Sequence, residues 1–250
     1  MKSKLMYLPI FLLLSMAISF SQNPNFIFYS NSGESQCLSF EDHFVWIGTS
    51  EGGLVKIDMT SDELTFYNTI NSDIPDNDIV SLAIDSNGNK WIGTRNNGLV
   101  CYNGDTWTTY DQSNSGIPHN EIYCITIDNK ENKWIGTKKG LVKFDGSQWT
   151  VYTTSNSGLI NHWILDITID NKGELWIGTY EGLVRFDGIN WTAYNCSNSE
   201  LLGNWIWFIF IDNYGNKWIG SVGGGLTKFD GINWTNYTTS NSGLPTNFVR

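Results

Sequence analysis

The chain has 250 residues, with 15 basic and 25 acidic side chains and a formal net charge of −10 at pH 7. An acidic chain without a basic patch is a poor partner for nucleic acid, so we expect none to bind. The acidic residues are spread along the chain rather than gathered in a tail, and this pattern is typical of a solvated surface.

The N-terminus has the pattern of a secretory signal. Lys2 and Lys4 precede an apolar stretch over residues 5–20, and small residues follow it. The pattern predicts a signal peptide over residues 1–21 that is cleaved near Ser21, with an uncleaved anchor as the alternative. The apolar stretch is short for a membrane span, so we expect an extracytoplasmic mature chain, periplasmic or secreted, that does not insert into the membrane.

One phrase, Trp-Ile-Gly-Thr, returns five times, the last time with Ser in place of Thr. It begins at Trp46, Trp91, Trp134, Trp176 and Trp218, so the spacings are 45, 43, 42 and 42 residues. A period near forty, with turn residues that divide each unit into four short strands, predicts an all-β protein, a β-propeller of four-stranded blades. We expect five complete blades with parts of another, from a larger ring.

The second unit shows the predicted anatomy of a blade. Its inner strand a, then strands b and c, and the outer strand d are predicted at 79–85, 90–94, 99–102 and 107–110. Adjacent residues of a strand point to opposite faces, and both Trp91 and Ile92 are large and apolar. We therefore expect each sheet to be covered on both faces by neighbouring blades.

The repeats are predicted to fill residues 22–250. The blades are expected at about 34–67, 78–110, 120–152, 162–194 and 204–237, with partial strands at 26–29 and 247–250. The first unit is the least regular because it lacks the Asn-Gly turn between strands a and b.

With the unit defined, Trp-Ile-Gly-Thr followed by Gly-Leu-Val-Lys-Phe-Asp resembles the two-component regulator propeller repeat family over residues 26–250. In that family the repeats build extracytoplasmic sensor regions of bacterial hybrid histidine kinases, and they also occur in secreted proteins without a kinase. The resemblance implies a non-enzymatic sensor in signal transduction, fused to or associated with a sensor kinase. Any kinase activity is expected outside this chain.

The candidate binding residues lie on the loops that lead into strand a and on the turns between strands b and c. In a propeller these loops share one face around the channel mouth, and here they vary from unit to unit while the framework repeats. Aromatic rings, carboxylates and cations together suit a saccharide, with a protein as the alternative ligand. The candidates are Asp78, Glu121, His162, Trp163 and Trp205 before or at the start of strand a, and Arg95, Lys138, Lys139, Tyr180 and Glu181 in the b-to-c turns.

Two other functions are weaker alternatives. A secreted adhesin or scaffold would use the same face. A lyase similar to the streptogramin lyases would need catalytic groups, for which His119 with Glu121 and His162 are the available side chains. They supply no acid and base pair at a defined separation, so we predict no catalytic residue.

No metal or cofactor is predicted. The Asp-x-x-Gly turns, such as 85–89, lack the distal Glu of a calcium loop and are explained as hairpin turns. The four cysteines lack the spacing of a zinc site, and most are expected to be small buried side chains. They are Cys37, Cys101, Cys124 and Cys196.

Overall fold

The computed structural model describes residues 33–249, and these residues form five sheets of four antiparallel strands with no helix among them. Within each sheet the strands follow chain order. The bounds are β1 (Ser35–Glu41), β2 (Phe44–Thr49), β3 (Leu54–Asp58), β4 (Leu64–Tyr67), β5 (Ile79–Ile84), β6 (Lys90–Thr94), β7 (Leu99–Tyr102), β8 (Trp107–Tyr110), β9 (Ile122–Ile127), β10 (Lys133–Thr137), β11 (Gly140–Phe144), β12 (Trp149–Tyr152), β13 (Ile164–Ile169), β14 (Leu175–Thr179), β15 (Gly182–Phe186), β16 (Trp191–Tyr194), β17 (Ile206–Ile211), β18 (Lys217–Ser221), β19 (Gly225–Phe229) and β20 (Trp234–Tyr237).

Each sheet is one blade, and the blades are numbered one to five in chain order. The inner strand of each blade packs against the inner strand of the next, from β1 through β5, β9 and β13 to β17. The expected partial strand at 26–29 lies outside the described residues. Near the C-terminal end, Phe248 forms an isolated antiparallel bridge with Val222 rather than a regular strand.

In blades two, three and four the second strand is buried on both faces. Trp91 is 5% exposed and Ile92 is fully buried. Gly93 follows them, and a Cβ atom there would lie 2.7 Å from Cγ2 of Ile122 in the next blade. The glycine therefore allows the next inner strand to approach closely.

A repeated polar contact joins successive blades on the face opposite the candidate loops. The Asp85 carboxylate, which follows β5, accepts a hydrogen bond of 2.9 Å from Nε1 of Trp91 in its own blade. Its Oδ2 also lies 3.2 Å from Nζ of Lys133 in the next blade. That ammonium lies 5.0 Å from the centroid of the Trp91 ring. We call this contact the carboxylate–lysine bridge; it recurs as Glu41, Trp46 and Lys90 between blades one and two, and as Asp170, Trp176 and Lys217 between blades four and five.

The interface between blades three and four lacks this bridge. Asp128 accepts a hydrogen bond from Trp134 Nε1 at 3.0 Å, but the position of the bridging lysine is occupied by Leu175. Glu174 instead pairs with Arg185 of the same blade. On that side of the molecule this interface is packed by apolar side chains, among them Trp134, Leu175 and Phe186.

The Asp-x-x-Gly segments form the expected hairpin turns. Asp85 Oδ1 accepts backbone N–H groups from Asn87 and Asn89 at 3.1 and 2.9 Å, so the carboxylate is used within the turn. In the irregular first unit the turn is made by Asp42, whose φ of 52° takes the place of a glycine conformation.

The four cysteines are free. Cys124 is buried, Cys37 and Cys101 are partly buried, and Cys196 is exposed. Of the four, only Cys124 is the buried side chain that we expected for most of the cysteines, and Cys196 departs furthest from that prediction. Residues 33–249 contain no helix that is long and apolar enough to span a membrane.

Candidate functional site

The loops that lead into the inner strands and the turns between the second and third strands lie on one face, which we call the loop face. In blade two, Arg95 N–H donates to the backbone oxygen of Asp78 at 3.0 Å, and in blade five Val222 N–H donates to the backbone oxygen of Trp205 at the same distance. These bonds hold each turn against the start of the inner strand of its own blade. The geometry brings the predicted candidates of blades two to five onto this face.

In blade two and in blade three, the charged candidates of the same blade form an ion pair. Arg95 Nε lies 3.3 Å from Asp78 Oδ2, and Lys138 Nζ lies 3.0 Å from Glu121 Oε2. The Tyr123 hydroxyl donates to Glu121 Oε1 at 2.7 Å. Burial raises the pKa of the Glu121 carboxyl, but the bonds from Tyr123 and Lys138 outweigh burial and leave the pKa below its usual value. Glu121 is therefore an ionised, fully engaged carboxylate.

The aromatic candidates of blades four and five form a continuous set of ring contacts with two residues that were not predicted, and we call this set the aromatic row. Its members are Tyr123, Trp163, Tyr180, Trp205 and Trp207. The centroids of successive rings are separated by 6.5, 5.4, 4.5 and 5.6 Å. Tyr180 stands edge-on to Trp163 and is 41% exposed. The row presents ring edges and faces across three blades.

A cavity of about 700 Å³ opens where blades three and four meet on the loop face. This volume lies within the range of small-molecule sites. The Lys138 ammonium lies 5.1 Å from the centroid of the Trp163 ring, so a cation and an aromatic face meet at the cavity. The lining residues are His119, Lys138, Lys139, Thr153, Ser155, Asn161, His162, Trp163 and Tyr180.

Two histidines line the cavity. His119 Nδ1 accepts the backbone N–H of Glu121 at 3.0 Å, so in the neutral ring the proton is on Nε2. Burial lowers the pKa of His119 and outweighs the opposing effect of Glu121, so the ring is neutral at pH 7. His162 Nε2 lies 3.1 Å from the Thr154 hydroxyl. Both rings can hydrogen-bond to a ligand.

The ten predicted site residues fall into three groups. Lys138, Lys139, His162, Trp163 and Tyr180 line the cavity. Glu121 and Trp205 contact these lining residues, through Lys138 and Tyr180 respectively. Asp78 and Arg95 pair with each other in blade two, and Glu181 is exposed and does not line the cavity.

Sequence reasoning missed several contributors. Tyr123 and Trp207 lie two residues after Glu121 and Trp205 and contact them, although a β-bulge interrupts the strand alternation at this point. The bulge leaves no composition signal, so strand alternation alone does not identify them. The hydroxyl and amide side chains of Thr153, Ser155 and Asn161 come from the loop between β12 and β13. The hydrogen bond from Thr153 N–H to Asn156 Oδ1 recurs at the equivalent positions of the neighbouring loops, so the repeat carried a signal for this loop.

Two buried polar atoms within the described chain have no hydrogen-bond partner, and both belong to predicted site residues. They are Nε1 of Trp205 and Oδ1 of Asp78. A buried polar atom without a partner costs about 1–3 kcal/mol, and such atoms call for an explanation in function or strain. Their place on the loop face is consistent with a binding surface there.

Comparison with known proteins agrees with this architecture. The family described as "two component regulator propeller" matches residues 73–96 and 158–181, which confirms the resemblance found in the repeats. Each matched segment covers the first two strands of a blade. The search of curated proteins gave no match.

Solved structures with the same fold include the extracellular domain of a putative hybrid two component system from B. thetaiotaomicron. It is 27% identical with a TM-score of 0.72, and the match covers 80% of this chain and 28% of that chain. A second such domain from the same organism is 21% identical with a TM-score of 0.71, covering 89% and 30%. This chain therefore spans less than a third of either domain.

A streptogramin B lyase structure also matches, at 18% identity and a TM-score of 0.69, covering 88% of this chain and 72% of that chain. At this identity the likeness concerns the fold alone. The chain is thus an all-β propeller, related to extracellular domains of hybrid two component systems.

Proposed function

We propose that this chain is a non-enzymatic, extracytoplasmic propeller that binds a saccharide at the cavity between blades three and four. The observation that carries the proposal is the cavity itself, in which the rings of Trp163 and Tyr180 lie beside cationic and hydroxyl side chains. The two hybrid two component neighbours support a sensor role, with a kinase elsewhere in the same system.

The mixture of groups suits a sugar better than an apolar ligand. A pyranose ring has apolar C–H faces that pack on aromatic rings, and hydroxyl groups that need polar partners at the ring edge. Trp163 and Tyr180 supply the aromatic surface. Asn161, Ser155 and Thr153 supply amide and hydroxyl groups at the same cavity.

The charge states favour binding over catalysis. A general acid at neutral pH needs a carboxyl group with a raised pKa, and the pKa of Glu121 is lowered. Glu121 is also bonded to both Lys138 and Tyr123 and is not free to act as a base. The neutral His119 ring directs Nδ1 to the backbone and has only Nε2–H for a ligand.

The test is titration calorimetry of the full chain against neutral and acidic oligosaccharides, followed by variants of the row. Trp163→Ala and Tyr180→Ala should each weaken binding about 30-fold, the usual effect of removing a central aromatic contact. Tyr214→Ala is the matched control, because Tyr214 is 92% exposed in the turn between β17 and β18, on the opposite face.

Mass spectrometry of the bound sugar after incubation tests the non-enzymatic part of the proposal, and the sugar should be recovered intact. Turnover would contradict it. Equal effects of Tyr180→Ala and Tyr214→Ala would place the binding site elsewhere.

A further inference from the structure

We infer that the ligand of this cavity is an anionic saccharide, one that carries a carboxylate or sulfate group on its rings. The inference rests on the proposed saccharide-binding function and adds the charge of the ligand. It comes from the electrostatics of the lining, which differ from those of the rest of the chain.

The lining is basic although the chain is acidic. Acidic side chains outnumber basic ones by 25 to 15 in the whole sequence. The cavity is lined by two lysines and two histidines, and no Asp or Glu side chain is among its lining residues in the described chain. A concave site that carries an uncompensated positive charge and no carboxylate concentrates anions.

The two lysines have different partners. Lys138 is paired with Glu121 at 3.0 Å, so its charge is largely compensated within the chain. The exposed Lys139 has no carboxylate within 4.0 Å of its ammonium group among residues 33–249. Lys139 therefore provides the uncompensated positive charge at this cavity.

The cavity has a polar end and an aromatic end. Lys139 and His119 both line the cavity from blade three, where the lysine supplies a cation and the neutral histidine an Nε2–H donor. Trp163 and Tyr180 form the aromatic end at blade four. An anionic substituent at the first end would place the sugar rings against the second.

The same arrangement discriminates against neutral sugars. Binding a neutral sugar would desolvate Lys139 without giving it a counter-charge, which is unfavourable. A carboxylate or sulfate would supply that counter-charge with a charge-assisted hydrogen bond.

The test uses pairs of probes that differ only in charge, titrated into the full chain by calorimetry. The first pair is tetragalacturonate and its methyl ester, and the second is a sulfated chondroitin disaccharide and its unsulfated form. We expect at least one charged member to bind at least tenfold more tightly than its partner, with an affinity that falls as salt rises. The pair that responds distinguishes a carboxylate from a sulfate ligand.

Lys139→Gln should weaken binding of the charged probe about tenfold, since a hydrogen bond to a charged group is of that magnitude. Lys130→Gln removes the same charge from an exposed turn on the opposite face, and should leave the affinity unchanged. Both positions are exposed, so both variants should fold.

The outcomes separate this inference from the proposed function. Equal binding of charged and neutral partners, or binding of neutral sugars alone, overturns the anionic ligand and leaves the saccharide site intact. Loss of affinity in Lys130→Gln equal to that in Lys139→Gln also overturns the anionic ligand. Binding of none of these probes overturns both.

Discussion

Lys133→Met is the sharpest test of how the blades are held together. The Lys133 side chain is 8% exposed and the Asp85 side chain 1% exposed, and their charged atoms are 3.2 Å apart. Removing one partner of a buried ion pair costs about 3–5 kcal/mol, because the other charge remains buried. Asp85 keeps its hydrogen bonds from Trp91 and Asn89, so we expect the free energy of unfolding to fall by about 3 kcal/mol, at the low end of this range. Methionine keeps the packing on the Trp91 ring.

The same substitution should change the acid response. Burial raises the pKa of Asp85, but the hydrogen bonds from Trp91, Asn89 and Lys133 outweigh burial and lower the pKa to about 2. A folded pKa below the unfolded value of about 3.9 stabilises the fold above that pH, and the stabilisation is lost as pH falls toward 2. Without Lys133 the folded pKa of Asp85 rises, so the loss begins nearer to pH 4 and is smaller.

The assay is urea unfolding at pH 7, followed by tryptophan fluorescence and circular dichroism, with an NMR titration of the Asp85 carboxyl. Lys143→Met is the control. Its ammonium lies 5.7 Å from the Trp134 ring, and no carboxylate lies within 4.0 Å of it in the described chain, so its loss should be under about 1 kcal/mol. Equal losses in the two variants, or an unchanged Asp85 pKa, would refute the bridge as a stabilising contact.

Two further predictions concern single blade interfaces. Leu175→Lys places a lysine opposite Asp128, at the interface where the bridge is absent, and should lower the pKa of Asp128 as measured by NMR titration. An unchanged pKa would show that a lysine at this position of the repeat does not reach Asp128. Asp166 accepts N–H groups from Ile167 and, at 2.6 Å, from Ile209 of the next blade. Although part of this residue reaches solvent, its carboxylate is desolvated between the blades, which raises its pKa to about 6. The folded state then keeps a proton that the unfolded state releases, so stability falls by about 2 kcal/mol between pH 4 and 6. Asp166→Asn should remove that slope in urea unfolding at pH 4.5 and 7, and a slope equal to wild type would contradict the assignment.

The sheets could be predicted because one local pattern serves every blade. The repeat pattern predicts strands at 79–85, 90–94, 99–102 and 107–110 in the second unit, and the structure differs only in ending the first of these at Ile84. The register irregularity at the start of each inner strand was not predictable, since a β-bulge such as that between Ile79 and Ser81 leaves no composition signal.

The site was predicted in part, for a different reason. Position in the repeat identified which loops share a face, and that brought Lys138, Trp163 and Tyr180 to one cavity. Loop sequence does not show which charges neutralise each other, so the pairing of Asp78 with Arg95 appears only in three dimensions. The carboxylate–lysine bridge was missed as well, because the lysine that precedes three of the five repeat tryptophans has the appearance of an ordinary solvated charge.

In each blade, different residues form the contacts with neighbouring blades and the loop face, and this separation has an evolutionary consequence. The glycine, the tryptophan and, where it is present, the bridging lysine of one unit contact residue types that recur in neighbouring units. A duplicated stretch of about 42 residues that includes the lysine therefore brings matching contacts for both of its interfaces. We therefore expect gain or loss of a whole unit to need few compensating changes at the blade interfaces. Mutations in the loops leave those interfaces untouched, and ligand specificity can drift from copy to copy while the scaffold is inherited intact.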